Sequence, residues 1–410
     1  MTTVRRNIFM IAALILALVI FISFQTKTDS TVVAASTPTT VISPTTTQTP
    51  ARKPVTIPIA DGDLKDAVLA AGDYLVREQL PNGELSYQVD FLTGERSYTP
   101  SYLRLIGGTG SLYTVCRVSG DMTYCNAGDL ALEHYLELLV SDPDNFKGTC
   151  LYTAGTCQLG GAALTVDAIY KRWQATGMFF LDDRNLLNVA ADLGYFIVSM
   201  RRPEGGFYHS FDPHAGGMVD PDFFMPGFSG KSLLALAQLY EMTGNDFWLK
   251  QAHEVNDFMI TQPVSEDHWH GYAFSMLARL DSISQADVAY ARQIVDAVIA
   301  GEVRSLHPNN NTIATATKIE ALSSLAQALH LSNEDHEWLD PEIRTFITFV
   351  RARQLPNNDC NWDITKEVAG KFGGAIFNGC DDPTIRVDGQ QDWINGVTAY
   401  LEYQSMIKGE

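Results

Sequence analysis

Residues 229–262 read SGKSLLALAQLYEMTGNDFWLKQAHEVNDFMITQ, and the organisation of the chain follows from how this stretch divides. Its first half, up to Thr243, is small or apolar at nearly every position and has the period of a helix with no polar face. Its second half, from Asp246, keeps the helical period but carries charges on one side, as a surface helix does. Between them stands Thr243-Gly244-Asn245-Asp246. Glycine ends a helix in the left-handed conformation, and Asn or Asp caps the next one. The unit is therefore a buried helix, a tight turn and an exposed helix.

The same pair recurs along the chain. Charged, amphipathic helices are expected at 62–79, 122–140, 183–201, 246–262, 285–301 and 338–353, and Gly/Ala/Ser/Thr-rich ones at 107–118, 159–175, 229–243, 269–280, 312–330 and 391–406. Small residues let helices approach closely, which suits an inner layer, while a polar face suits an outer one. Convincing strand alternation is scarce. Connections leaving the small-residue helices are short and repeat the turn recipe, as in Ser119-Gly120-Asp121 and Thr176-Gly177. Those leaving the amphipathic helices are long (80–106, 141–158, 202–228, 302–311 and 354–390), 263–268 alone being brief. Several open alike, with Gln79-Leu80-Pro81-Asn82-Gly83, Arg202-Pro203-Glu204-Gly205-Gly206 and Gln354-Leu355-Pro356-Asn357. Long loops in compact domains are usually functional, and here they gather on one side.

Six outer–inner pairs closing on themselves resemble the (α/α)6 toroid of the six-hairpin glycosidase-like superfamily. The resemblance spans residues 61–410. It is carried by the twelve-helix alternation, the hairpin YEMTGNDFWLKQAHEVNDFMITQ from Tyr240 to Gln262, and Asp267-His268-Trp269 opening an inner helix. It implies an all-α toroid domain over 58–410, with long loops and inner-helix N-termini converging on a central funnel. It also implies action on an oligo- or polysaccharide, most often as an inverting glycoside hydrolase. An open α-solenoid is the rival architecture.

The remaining 57 residues stand apart. Met1 to Asn7 carries Arg5 and Arg6, and Ile8 to Phe24 is an uninterrupted apolar run, IFMIAALILALVIFISF. This run is long enough to span a bilayer, and arginines before it predict a cytoplasmic N-terminus and an extracellular or periplasmic body. The expected organisation is a cytoplasmic segment 1–7, a signal-anchor helix 8–24 and a Ser/Thr/Pro-rich stalk 25–57, with a cleaved signal peptide as the rival. With 46% hydrophobic and 10% aromatic residues the body is no disordered chain, and a formal charge of −19 disfavours nucleic acid as a partner.

Six cysteines fall in local pairs: Cys116 with Cys125, Cys150 with Cys157, and Cys360 with Cys380. Three short-range disulfides are the simplest pairing for an exported domain, and a thiolate metal site is the alternative. No CxxC is present, so no metal is expected.

Candidate site residues come from the rim. Asp267-His268-Trp269-His270-Gly271-Tyr272 offers a carboxylate, imidazoles and stacking rings, against the simpler role of Asp267 as a helix cap. The loop 205–228 carries His209, Asp212, His214, Asp220 and Asp222, with calcium binding by Asp220 and Asp222 as a rival to catalysis. The first long loop brings Tyr87, Asp90, Tyr98, Tyr102 and Arg104, whose fork can hold a carboxylate or a structural acid. The last brings Trp362, Asp363, Asp388, Asp392, Trp393 and Asn395, with Asp392 opening the final inner helix. Asp267, Asp212, Asp220, Asp222 and Asp392 are the acid–base candidates. Tyr87, Tyr102, Arg104, His209, His268, Trp269, His270, Trp362 and Trp393 are the substrate-binding ones. No GxSxG, HExxH, P-loop, dinucleotide fingerprint or terpene-cyclase aspartate cluster occurs, so no cofactor is expected. Against a hydrolase stand a lyase or epimerase acting beside a uronate, with His209, His268 or Tyr87 as base, and a non-catalytic glycan-binding surface protein.

Overall fold

In the computed structural model, which describes residues 60–97, 101–214 and 218–409, the hairpin recipe turns into geometry at three places. Gly120, Gly177 and Gly244 each end a helix with positive φ (74°, 71° and 63°), and Asp121 and Asn245 cap the following helices through their side-chain oxygens. A residue with a Cβ would be strained at each glycine. The expected cytoplasmic segment, the 8–24 helix, the 25–57 stalk and Tyr98 lie outside the described residues. Among those described, no helix is long and apolar enough to cross a membrane.

The pairs are α1 (Asp61–Glu78) with α2 (Tyr102–Ser119), α3 (Met122–Leu136) with α4 (Leu159–Thr176), and α5 (Leu186–Ser199) with α6 (Phe228–Thr243). Then follow α7 (Asp246–Met259) with α8 (His268–Arg279), α9 (Gln285–Ala300) with α10 (Thr312–Leu331), and α11 (Leu339–Arg351). A short α12 (Lys366–Phe372) precedes the last inner helix, α13 (Val387–Lys408). The inner helices contact one another in the order α2, α4, α6, α8, α10, α13, and α13 returns to α2. The ring is therefore closed, which excludes the open solenoid. Every residue from Leu105 to Cys116 in α2 and from Val387 to Tyr400 in α13 is buried, whereas α11 buries a stripe of Leu339, Ile343, Phe346, Ile347 and Val350. The alternation of composition thus separates inner from outer helices as expected.

The long connections contain short strands that the helical period does not reveal. β1 (Gln88–Asp90) pairs with β2 (Arg96–Ser97) and with β11 (Asp382–Arg386), which pairs with β10 (Phe377–Gly379), so the first and last loops share one sheet. A second sheet joins β3 (Leu139–Val140), β4 (Cys150–Thr153), β5 (Thr156–Gln158), β8 (Ser210–Asp212) and β9 (Met218–Val219). The hairpin of β6 (Phe180–Leu181) and β7 (Arg184–Asn185) sits between α4 and α5. These strands shorten two expected helices. Leu139 and Val140 leave α3 to pair with Leu151 and Cys150, and Arg184 and Asn185 pair with the 180s hairpin before Asn185 caps α5. Conversely, α2 and α13 begin five and four residues earlier than expected, so Arg104 and Asp392 lie within helices.

The repeated loop openings prove to be stitches. The Gln79 amide donates to Ala127 O of α3 (2.8 Å), Arg201 donates to Gln251 of α7 (3.0 Å), and the Gln354 amide donates to Ala67 O of α1 (2.7 Å). Each ties the end of one outer helix to the next around the ring. Three disulfides form as expected: Cys116–Cys125 across the α2–α3 turn, Cys150–Cys157 across the β4–β5 hairpin, and Cys360–Cys380 within the last loop.

Closure leaves no room where α13 meets α2. A Cβ on Gly108 would stand 2.5 Å from Val387 Cγ2 and 3.0 Å from Leu85 Cδ1, whereas one on Gly62 would meet nothing within 4 Å. Gly108→Leu should therefore lower stability by at least about 1–3 kcal/mol through overpacking. Gly62→Ala should leave it unchanged or raise it by about 0.5–1 kcal/mol. Calorimetric unfolding of the two variants checks both signs.

Candidate active site

Helix α8 begins with Asp267 as its cap, the carboxylate accepting from Trp269 N at 3.0 Å. The same carboxylate lies against Gly230 of α6, where a Cβ would approach its Oδ2 to 2.3 Å, so α6 and α8 touch across that glycine. One residue on, Lys231 reaches over the Trp269 ring, its Nζ 4.6 Å from the centroid. Lys231 is half-buried, and its ammonium makes no ion pair with a described carboxylate. Burial lowers its pKa, while Asp267, Asp392 and Glu320 pull the other way.

The floor of the funnel is a cluster from α8, α10 and α13. Glu320 of α10 is completely buried; its Oε1 accepts from Tyr272 Oη at 3.1 Å, and its Oε2 lies 3.4 Å from His268 Nε2 without a hydrogen bond. Asp392 of α13 is 5% exposed and makes no hydrogen bond or ion pair among the described residues. One ligand-capable atom from each of His268, Glu320 and Asp392 lies within 4.8 Å of the other two. Burial first, and then mutual repulsion, pushes the pKa of Glu320 well above the usual carboxylate range. Asp392 is raised by burial and then by the neighbouring Asp388, and Asp267 is raised by burial. Burial, with Lys231 and Lys318 beside it, pushes His268 well below its ordinary value, so the imidazole is neutral.

The rim is built one turn above Asp392. Asp388 accepts from Arg104 Nε at 2.8 Å and from Arg386 Nε at 3.0 Å. Arg104 also donates to Tyr87 Oη, and both guanidinium groups lie over the Tyr87 ring, at 5.5 and 5.9 Å. Of the two roles open to Arg104, the structure realises the ion pair. Next to the floor lies a cavity of about 80 Å³, lined in part by Trp269, Tyr272, Gln238, Asn395 and Thr398. Gln238 Oε1, Asn395 Nδ2 and Thr398 Oγ1 find no protein partner there.

The candidates chosen from sequence thus separate. Tyr87, Arg104, Asp267, His268, Trp269 and Asp392 come together around the funnel, and Tyr102 is half-buried at the start of α2. Asp392 corrects one expectation: it does not cap α13, whose N-cap is Arg386. Asp212 and Asp220 accept from backbone amides of their own loop, His214 N at 2.8 Å and Asp222 N at 3.0 Å, and Asp220 and Asp222 are exposed. Among the described residues those two aspartates belong to no group of three potential metal ligands.

Five of the proposed ligand-contacting rings are instead packed inside the protein, Trp269 among them at 3% exposed beneath the Lys231 ammonium. His209 is 2% exposed, accepts Met225 N on Nδ1 at 3.0 Å and stacks on Phe224, so it supports the 205–228 loop. His270 is 2% exposed, turned toward the outer ring, and bonded through Nε2 to Asn256 Oδ1 at 2.8 Å. Trp393 is wholly buried in the inner ring, and Trp362 packs on Phe91 and Phe377. Sequence reasoning missed Glu320, Lys231 and Arg386.

Neither a family model nor a curated protein matches the sequence. Among solved structures, the fold is similar to that of an unsaturated glucuronyl hydrolase specific for heparin, at 12% identity and TM-score 0.58 over 86% of this chain and 99% of that one. It is similar to a cellobiose 2-epimerase from Spirochaeta thermophila, at 13% identity and TM-score 0.61 over 85% of this chain and 97% of that one. A family-76 α-mannanase from Bacteroides thetaiotaomicron matches at 11% identity and TM-score 0.54, over 85% of this chain and 98% of that one. At such identities the likeness is one of fold, and it places the body among the six-hairpin (α/α)6 toroids, as the hairpin pattern implies.

Two tests follow from this geometry. Asp267→Ala should cost about 1 kcal/mol through the lost cap, whereas Asp267→Ser, which still offers an oxygen to the Trp269 amide, should cost a few tenths; thermal unfolding separates them. His270 is held neutral by burial, with its pKa lowered to about 3, and His209 to about 4 by burial and then by Arg202. An unfolded imidazole titrates near 6.5, so the unfolded chain takes up protons first as pH falls. The stability these residues give is complete above about pH 6.5 and declines toward pH 4 for His209 and pH 3 for His270. The gap in unfolding midpoint between the parent and His270→Gln should therefore narrow from pH 7 to pH 5.

Proposed function

We propose that the protein is a carbohydrate-active enzyme, and specifically a glycoside hydrolase that works through carboxylates at the funnel floor. The observation that carries this reading is Asp392: a carboxylate 5% exposed, without hydrogen bond or ion pair among the described residues, beside a second buried acid, Glu320. A structural carboxylate removed from water is normally paired, because leaving it unpaired costs several kcal/mol. An acid whose pKa is raised by its surroundings is what protonation of a glycosidic oxygen requires.

In this reading Asp392 donates the proton to the leaving oxygen and Asp267, across Lys231, receives one from water. Glu320 sits too deep to touch a sugar; it accepts from Tyr272 and holds that ring in place, while burial and then the neighbouring Asp388 keep Asp392 protonated. Tyr87, half-buried at the rim, offers a ring to a sugar, and Asp212, Asp220 and Asp222 take no part in proton transfer. The similarity to hydrolase folds agrees with this assignment but does not supply it.

One observation favours a second reading. His268 is neutral and 17% exposed on its side chain beside Glu320, so it can take a proton from carbon, as an epimerase or lyase base must. We further propose that the enzyme acts outside the cytoplasm, for which the three disulfides speak, tethered by the apolar run 8–24 through the Thr/Pro-rich segment.

Asp392→Asn should reduce turnover of a panel of cell-wall and capsular glycans by about 10²–10⁴-fold, the usual worth of a positioned acid. Asp220→Asn should leave it within about twofold. Sugar released with water added supports the hydrolase. Ultraviolet absorbance from an unsaturated product, or solvent deuterium entering a sugar carbon, replaces it with the His268 reading. Binding without turnover in the parent protein overturns both.

A further inference from the structure

The floor of the funnel has a charge imbalance that its own residues do not resolve. Asp267, Glu320 and Asp392 all act on the Lys231 ammonium without pairing with it, while Lys318 is engaged by Glu266 and Lys171 by Asp167, the latter at 2.8 Å. Glu320 and Asp392, both buried, pair with no Lys or Arg among the described residues, so two carboxylates stand without a bound counter-charge. Two protons can neutralise them, and so can one divalent cation.

The donor set fits the second solution as well as the first. His268 Nε2, Glu320 Oε2 and a carboxylate oxygen of Asp392 lie within 4.8 Å of one another, and Glu320 Oε2 is fully buried with no hydrogen-bond partner. Two ligands each about 2.1 Å from a tetrahedral metal stand about 3.4 Å apart. The observed separation of Nε2 and Oε2 is 3.4 Å. One imidazole with two carboxylates suits a borderline ion of the zinc class, whereas calcium asks for six or more oxygens.

We propose that His268, Glu320 and Asp392 form a binding site for one divalent cation of the zinc class. Occupancy takes up the lone pair that Asp392 would otherwise protonate, so the loaded protein is the inactive form. Binding itself is independent of the proposed reaction; the inactivation rests on it.

The test titrates the chelator-stripped full-length chain with Zn²⁺ alone, followed by calorimetry and by the rise in unfolding midpoint. It is run in a His330→Gln background, because His330 and His336, with ring nitrogens 3.0 Å apart, are a competing imidazole pair. The expected result is one equivalent bound, at least tenfold weaker in each of His268→Ala, Glu320→Gln and Asp392→Asn, with Ca²⁺ failing to compete. Asp392→Asn is nearly isosteric, and circular dichroism at equal midpoint certifies that it is folded, so it decides the matter should Glu320→Gln unfold. No uptake, or uptake unchanged in folded Asp392→Asn, overturns the site. Normal uptake in a chain that processes no glycan even after chelator stripping overturns the proposed reaction and leaves the site standing.

Discussion

An inner helix of a closed ring has no solvent face. Each of the six is flanked by two inner neighbours and backed by the outer layer, so the only direction that is not packed protein is the axis. That constraint governs the rest of the molecule. It explains why small residues dominate these helices, since ring closure needs backbones close together, as at Gly108 against Val387 and Gly230 against Asp267. It also dictates where an ionisable group can be tolerated. A charge on an inner helix must look at the axis or find a partner in the outer layer. Glu320, Lys231, Asp167, Asp388 and Asp392 take the first course, and Arg172 of α4 takes the alternative, its buried guanidinium pairing outward with Asp129 of α3 at 2.7 Å.

The architecture was legible because it is written in local chemistry. Left-handed glycine caps, Asp and Asn N-caps and the change from amphipathic to uniformly small helices are short-range signals, and the three cysteine pairs are close in sequence. What the period could not show is where long-range pairing overrides it. Leu139-Val140 continues the helical pattern of α3, yet it leaves the helix because Leu151 and Cys150 offer strand partners. Arg386-Val387 passes from strand to helix with no capping residue, so the start of α13 carries no mark and Asp392 looked like a cap. The candidate site was half legible for a related reason. Residues beside turns, such as Asp267 and His268, stand out in sequence, while Glu320 lies inside TIATATKIEALSSLAQAL, a segment whose composition announces only burial. The usable signal was the contradiction itself: an acid in a helix with no wet side.

Histidines and tryptophans misled in the opposite direction. His209, His270 and Trp393 carry functional-looking chemistry, but each completes a packing task that a large polar or aromatic ring does well. His209 supplies an acceptor for the Met225 amide, which a loop crossing the ring edge would otherwise leave unpaired, and His270 links α8 through Asn256 to Asp287 of α9. Their neutrality in the fold is a consequence of burial and does not mark catalysis. His268, two residues earlier and so on the opposite face of α8, points to Glu320 on the axis, whereas His270 points to Asn256 in the outer layer.

Closure of the ring and construction of the site are a single event. The rim cluster draws Tyr87 from the first long loop, Arg104 from α2, Arg386 from β11 and Asp388 from α13, so it exists only once the first and last hairpins meet. The shared sheet, with Gln88 opposite Arg386 and Val89 opposite Ile385, brings those two ends into register on the same side of the axis as Asp392. Asp388 then does two things at once. It satisfies two arginines, which anchors the closure, and its negative charge raises the pKa of Asp392 one turn below, opposed by the same arginines. A toroid left open by one hairpin would therefore lose the surroundings that raise the pKa of Asp392, and not merely one wall of a pocket.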